Sequence, residues 1–405
     1  MIIPSERPVR VLAAATVVTT LGSGLYLAGS MLFFTRVVGL GVVDVGTGLG
    51  IAMFVGVLSG VPLGQLADRY GPRGLYVGTQ LLQAGAMFLF PFARTFPEFL
   101  AIVTMAAVGQ RGGLAVSGAL IARISAPQDR TRVRAYLRAV INLGMAVGVA
   151  AAGIALQVNS AGAYTTLILV NGVSFLLAAG LLLAIAPLDP VPAPPDTRRL
   201  AALRDRPYLA LAVTSGILAF QYDVISLVLP LWLVSHTAAH RWWLSVLLVV
   251  NTGIVVLLQV RAARGVAGAR SGAAALRRAG LLFLAGCVVV GASHGLPVYA
   301  AECLLLLGVL IFSFGEIGMA AGSFEVGYGL APEHAQGQYQ GAFNLAVGLV
   351  RAASPIVLST LCLRLGQPGW LLLGAVFGLT GVAAGPLAAW AIRTRSFALQ
   401  EVSVD

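Results

Sequence analysis

Twelve nearly uncharged runs of about twenty residues, each long enough to cross about 30 Å of hydrocarbon as a helix, recur along this chain. They lie near 11–34, 43–65, 74–93, 98–122, 135–158, 164–186, 208–234, 242–262, 277–293, 298–322, 338–362 and 367–391. Of 405 residues, 58% are hydrophobic and 10% are charged, whereas a soluble globular domain carries about 25% charged residues. Too few polar groups exist to cover a water-facing surface. The chain therefore reads as an all-α integral membrane protein with twelve transmembrane helices, and the lipid bilayer is its first partner. The first run exceeds the apolar region of a secretory signal, and eleven further runs leave such a signal without a task.

The connections are short except for one, "PLDPVPAPPDTRRLAALRDR", Pro187 to Arg206. Proline blocks a continuous helix, so the stretch suits a semi-rigid linker. It separates a six-helix half at 1–187 from a second at 207–405 with a short tail; 188–206 form the linker. All 26 basic residues are Arg. With both termini in the cytoplasm, twenty Arg fall on inner ends and loops and four on outer loops, while Arg111 and Arg351 lie inside runs. That asymmetry orients a multi-pass protein of the plasma membrane with both termini cytoplasmic. The net charge of +11 is thus a topology signal. Nucleic-acid binding would gather basic residues on one soluble domain, and none is expected here. Three Cys and four His match neither a disulfide framework nor a metal-ligand spacing. No phosphate-cradling Gly-rich loop and no nucleophile motif occur. The expectation is a chain that is not an enzyme, uses no cofactor and draws no energy from ATP.

The two halves echo each other. "APQDRTRVRAYLRAVINLG" begins at Ala126 before run 5, and "APEHAQGQYQGAFNLA" begins at Ala331 before run 11. Each opens on Ala-Pro and reaches a Tyr, then an Asn-Leu pair at Asn142 and Asn344. The loop between runs 8 and 9 keeps Gln259 and Gly265 at the spacing of Gln65 and Gly71 but has no acid. Two six-helix halves related by a repeat are a transporter architecture.

The charged stretch "GQLADRYGPRGL", Gly64 to Leu75, sits between runs 2 and 3. Gly71 permits a tight turn and Pro72 sets the next φ. Gly64 permits close helix approach. Asp68 suits the partial positive charge of a helix N-terminus. Gly64-x-Leu66-Ala67-Asp68-Arg69-x-Gly71-x-Arg73 resembles the loop 2–3 signature of the major facilitator superfamily, except that Gly74 stands where a second basic residue is usual. Within it, the chain is similar to bacterial drug–proton antiporters and actinobacterial export proteins. The resemblance implies that Asp68 meets helix 11. Arg69 and Arg73 are then expected to pair with Asp129 in the 4–5 loop, making the knot a cytoplasmic latch.

Ionisable residues within spans are costly and so are functional candidates. Arg111 lies in run 4, Asp223 in run 7, Glu316 in run 10 and Arg351 in run 11. The resemblance implies that helices 1, 4, 7 and 10 line a central cavity, flanked by 2, 5, 8 and 11; the four deep charges fall on those helices. Burial favours the protonated form of a carboxylate, and an approaching cation opposes it. Proton and substrate are thus expected to compete for Asp223 or Glu316. Arg111 resembles the helix 4 Arg of proton-linked exporters, although Gly144, Gly148 and Gly153 in run 5 lack the Gly-Pro that ends the antiporter signature. Tyr26, Gln221, Tyr222, Asn142 and Asn344 complete the candidate pocket. The expected function is export of small amphipathic or hydrophobic compounds by a monomer, driven by the proton gradient through alternating access. The alternatives are a sugar, metabolite or anionic-substrate transporter of the same fold, and a non-transporting receptor or scaffold.

Overall fold

The computed structural model describes residues 6–191, 200–262, 266 and 268–401. Residues 192–199 of the linker, Gly265 of the 8–9 loop and the last tail residues lie outside it. Among the described residues, twelve helical segments are long and apolar enough to span a membrane. They are α1 (Arg7–Val37), α2 (Val43–Tyr70), α3 (Pro72–Phe92), α4 (Phe96–Ile124), α5 (Pro127–Ala155), α6 (Ala161–Leu182), α7 (Arg206–His236), α8 (Trp243–Arg261), α9 (Ala269–Gly291), α10 (Val298–Gly329), α11 (Glu333–Arg364) and α12 (Gln367–Arg395).

The helix ends follow from local chemistry. Gly71 adopts φ +90° between α2 and α3, a conformation that side chains with a Cβ disfavour. Glu98 folds back to accept from the amides of Arg94 at 2.7 Å and Thr95 at 3.1 Å, completing a capping box with Thr95 at the start of α4. Ser160 caps α6 through the Ala163 amide, and Asp205 caps α7 through that of Tyr208. The sequence echo is also a structural one: a short 3₁₀ turn precedes the main helix at Pro127–Asp129 and again at Glu333–Ala335.

Two spans are interrupted, where the sequence alone predicts continuous helices. In α7 the regular helix runs Arg206–Leu218, and a π-turn follows at Val224–Val228. In α11 it runs Gln336–Ala352 and resumes at Ser354–Leu358 before a π-turn at Ser359–Arg364. Pro355 accounts for the break in α11, since it lacks the amide that would close on the Arg351 carbonyl, and Pro230 leaves the Ser226 carbonyl open within the π-turn of α7.

The chain divides into two compact units: residues 1–202 with 331–345, and residues 203–330 with 346–405. In the first, α2 packs on α4, α1 on α5 and α6, and α3 on α4 and α6. Its aromatic core joins Phe33, Phe34, Phe90 and Phe99. In the second, α9 packs on α10 and α12, and α8 on α10. There Phe283 contacts Phe312 and Phe377 with ring centres 5.6 and 5.3 Å apart. Large apolar side chains such as Phe54, Ile154, Leu257 and Leu379 are exposed, as contact with lipid requires.

Candidate functional site

In the first unit, the Asp68 carboxylate accepts from the backbone amides of Gly337 at 2.7 Å and Gln338 at 2.8 Å. These are open donors in the first turn of the helix Gln336–Ala352, so the acid meets a helix dipole at its positive end. Glycines make the approach possible. A Cβ on Gly64 would run into the Gly337 carbonyl, and one on Gly341 into the Gly60 carbonyl. Gly60 and Gly64 on α2 thus face Gly337 and Gly341 at matched four-residue spacing, a small-xxx-small contact. Gly60, Gly337 and Gly341 escape a reading confined to the charged knot, although their spacing is visible in the sequence.

The rest of the knot departs from expectation. Arg73 does not pair with Asp129: its Nε and Nη2 donate to the carbonyls of Leu182 and Leu183 at 3.4 and 2.6 Å, closing the carboxyl end of α6. Asp129 pairs with Arg132 at 2.9 Å, because residues three apart at a helix start share one face. Arg69 lies over the Tyr70 ring, 5.4 Å from its centre, so neither Arg reaches Asp129. Asp68→Ala should remove one cap and lower stability by about 1–2 kcal/mol. Thermal unfolding in detergent will show it, with Asp68→Asn retaining part of the loss-sensitive contact.

In the second unit, the two helix interruptions come together. Arg351 donates to Asp223 through Nη2 at 2.8 Å and Nε at 3.3 Å, and Ser354 Oγ donates to the same carboxylate at 2.6 Å. The Tyr222 ring lies 5.4 Å from the guanidinium, a cation–π distance. The pair is partly open: the Arg351 side chain is 40% exposed and that of Asp223 21%. Gln221, one residue earlier, is 0% exposed, yet neither amide atom has a hydrogen-bond partner among the described residues. Glu316 of α10 is 7% exposed; Asn251 of α8 donates to it at 3.3 Å and to Ser313 at 3.0 Å. Ser354 and Asn251 are further site residues that charge-based reading overlooks. The Ser-Pro step at a helix break was the available signal for Ser354.

The other candidates scatter. Arg111, half-buried on α4, belongs to the first unit. Tyr26 packs against Phe34 and Phe90, each with ring centres 6.4 Å away. Asn142 is half-buried on α5, and the side-chain nitrogen of Asn344 is buried without a partner among the described residues. Gly144 and Gly148 press against Thr20 and Leu21 of α1, whereas Gly153 faces open space.

The Major Facilitator Superfamily profile matches residues 12–355, and the chain belongs to that family of transporters. No curated protein sequence matches it. Solved structures share the fold over nearly the whole length. The human organic anion transporter MFSD10 (TETRAN) superposes with TM-score 0.66 at 19% identity, covering 94% of this chain and 100% of that one. The E. coli fucose:proton symporter FucP gives TM-score 0.71 at 14% identity, covering 95% and 98%. A bacterial homologue of the iron transporter ferroportin gives 0.72 at 16%, covering 96% and 100%. At these identities the likeness establishes the fold alone.

Proposed function

We propose that this chain is a proton-coupled secondary transporter of small amphipathic molecules, working by alternating access as a monomer in the plasma membrane, with both termini cytoplasmic. The observation that carries this reading is the Asp223–Arg351–Ser354 cluster at two interrupted helices. Broken membrane helices free polar backbone and mark binding sites in transporters, and π-turns cluster at functional positions. A proton on Asp223 would cancel its charge and release Arg351, turning proton binding into a local rearrangement. Glu316 is the second acid able to take part, and Arg111, Tyr26, Gln221, Tyr222, Asn142 and Asn344 complete the proposed machinery.

Asp68 serves in this reading as a latch: its bonds to Gly337 and Gln338 hold one state and break in another. Gly64, Gly71, Arg69 and Arg73 shape the turn that presents it, and Asp129 supports the neighbouring helix start. Asp68→Asn should slow turnover with binding retained. Unchanged transport in that variant would remove the latch from the account.

Two directions of coupling are separated by one measurement. Proton-driven export, the expectation from the sequence, is favoured by Glu316, a buried acid of α10 that accepts from the Asn251 amide and for which a substrate amine could compete with a proton. Co-transport is favoured by Asp223, already paired with Arg351; the fucose:proton symporter shares the fold. Proteoliposomes holding a pH indicator, given a mixture of small metabolites outside, will acidify inside under co-transport and turn alkaline under antiport. No pH change, with transport indifferent to an imposed gradient, would replace proton coupling with facilitated diffusion.

A further inference from the structure

We propose that Arg351, Ser354 and Tyr222 bind the acidic group of an amphipathic organic anion, which takes the place of the Asp223 carboxylate. The inference rests on the proton-coupled reading above and names its substrate class.

The geometry already displays the recognition. Arg351 holds a carboxylate through two parallel N–H donors, with the Ser354 hydroxyl as a third. That planar fork matches any carboxylate or sulfonate. Asp223 is thus an internal occupant of a site whose donors are all suited to anions. The Arg351 side chain is two-fifths exposed, so an incoming group has access, and the Tyr222 ring beside it offers an apolar face to the rest of an aromatic or aliphatic molecule. A cationic substrate would find its carboxylate committed to Arg351. A sugar would find one serine and a buried amide, Gln221, in place of a set of exposed hydroxyl partners.

Charge balance then couples substrate to proton. In the resting pair, Arg351 and Asp223 sum to zero. With Asp223 protonated and an anion on Arg351 they again sum to zero. A proton without the anion leaves an uncompensated guanidinium, and the anion without the proton places two negative groups on one Arg. Each mixed state is disfavoured by the cost of a poorly solvated, unbalanced charge. Proton and anion therefore bind together, each strengthening the other by the same factor, and they travel in the same direction. No bond is made or broken beyond the transfer of one proton to Asp223.

The test uses matched probes on purified full-length protein: benzoate and 1-naphthoate, the neutral benzamide, and the cationic benzylammonium. Binding is read from the thermal unfolding temperature and confirmed by isothermal calorimetry. The anions should stabilise the wild type, more strongly at acid than at alkaline pH, while benzamide and benzylammonium should not. Asp223→Asn imitates the protonated acid, so it should bind the anions about tenfold more tightly and lose the pH dependence. Arg351→Gln should abolish binding, and Arg351→Lys should keep a weakened form of it. Failure of both anions to bind Asp223→Asn, or binding of benzylammonium in competition with protons, would overturn the anion assignment. Anion binding with no proton uptake from lightly buffered solution would keep the site and overturn the proton-coupled reading instead.

Discussion

Leucine in place of Gly337 will leave little folded protein. The Cβ alone would strike the Gly64 carbonyl and come within 3.0 Å of Asp68 Oδ1, so the two helices must separate. Separation would stretch the Asp68 bonds to the Gly337 and Gln338 amides and open the neighbouring Gly60–Gly341 contact. Overpacking costs about 1–3 kcal/mol, and each lost bond to a charged group adds about 1.5–3 kcal/mol. The sum is a large share of the stability of most proteins. Gly74→Leu and Gly78→Leu are the controls, since open space surrounds a Cβ at both positions. Detergent-extracted yield and unfolding temperature will separate the three variants. A Gly337→Leu protein as stable as the wild type would mean that this close helix contact does not hold the first unit together.

Arg351→Ala will be the most damaging single change in the second unit, and the effect will be largely reversed by a second mutation. Removing the guanidinium leaves Asp223 with Ser354 as its hydrogen-bond donor among the described residues. A fully buried pair broken on one side costs about 3–5 kcal/mol; this pair is partly open, so solvent screening reduces the loss to about 2 kcal/mol. In Arg351→Ala with Asp223→Ala, neither charge is left alone, and the unfolding temperature should return most of the way. Gradient-driven transport should not return, because the double variant has lost the proton acceptor at this site. Recovery of both stability and coupled transport would make the pair a fixed structural neutraliser.

What the sequence makes legible follows from which interactions are local. Span length is written in consecutive residues, so all twelve helices can be read from the apolar runs, and the 5/11 echo shows itself as matching text. Gly71 announces its positive φ, since the Gly-Pro step leaves few alternatives. Asp68 at a helix start is a matter of residue type and of a family resemblance. The partners of Arg73 and Asp129 are different in kind. An Arg beside any open carbonyl or carboxylate has several satisfactory endings, and the nearest in space decided the matter: the end of α6 for Arg73, the next turn for Asp129. Likewise the sequence marks Asp223 and Arg351 as costly charges, but their pairing depends on two helix breaks meeting. Pro355 signals the break in α11; nothing in the linear text brings it against the interruption in α7.

Asp223 leaves Arg351 when it takes up a proton together with the anion. Infrared difference spectroscopy of the reconstituted protein, recorded on addition of benzoate at constant pH, tests this at the bond itself. A protonated-carboxyl C=O band should appear as a carboxylate band is lost, with guanidinium bands shifting in step. The carboxyl change should vanish in Asp223→Asn, and both changes should persist in Glu316→Gln. An unprotonated Asp223 and unchanged guanidinium bands on benzoate addition would contradict the coupled release.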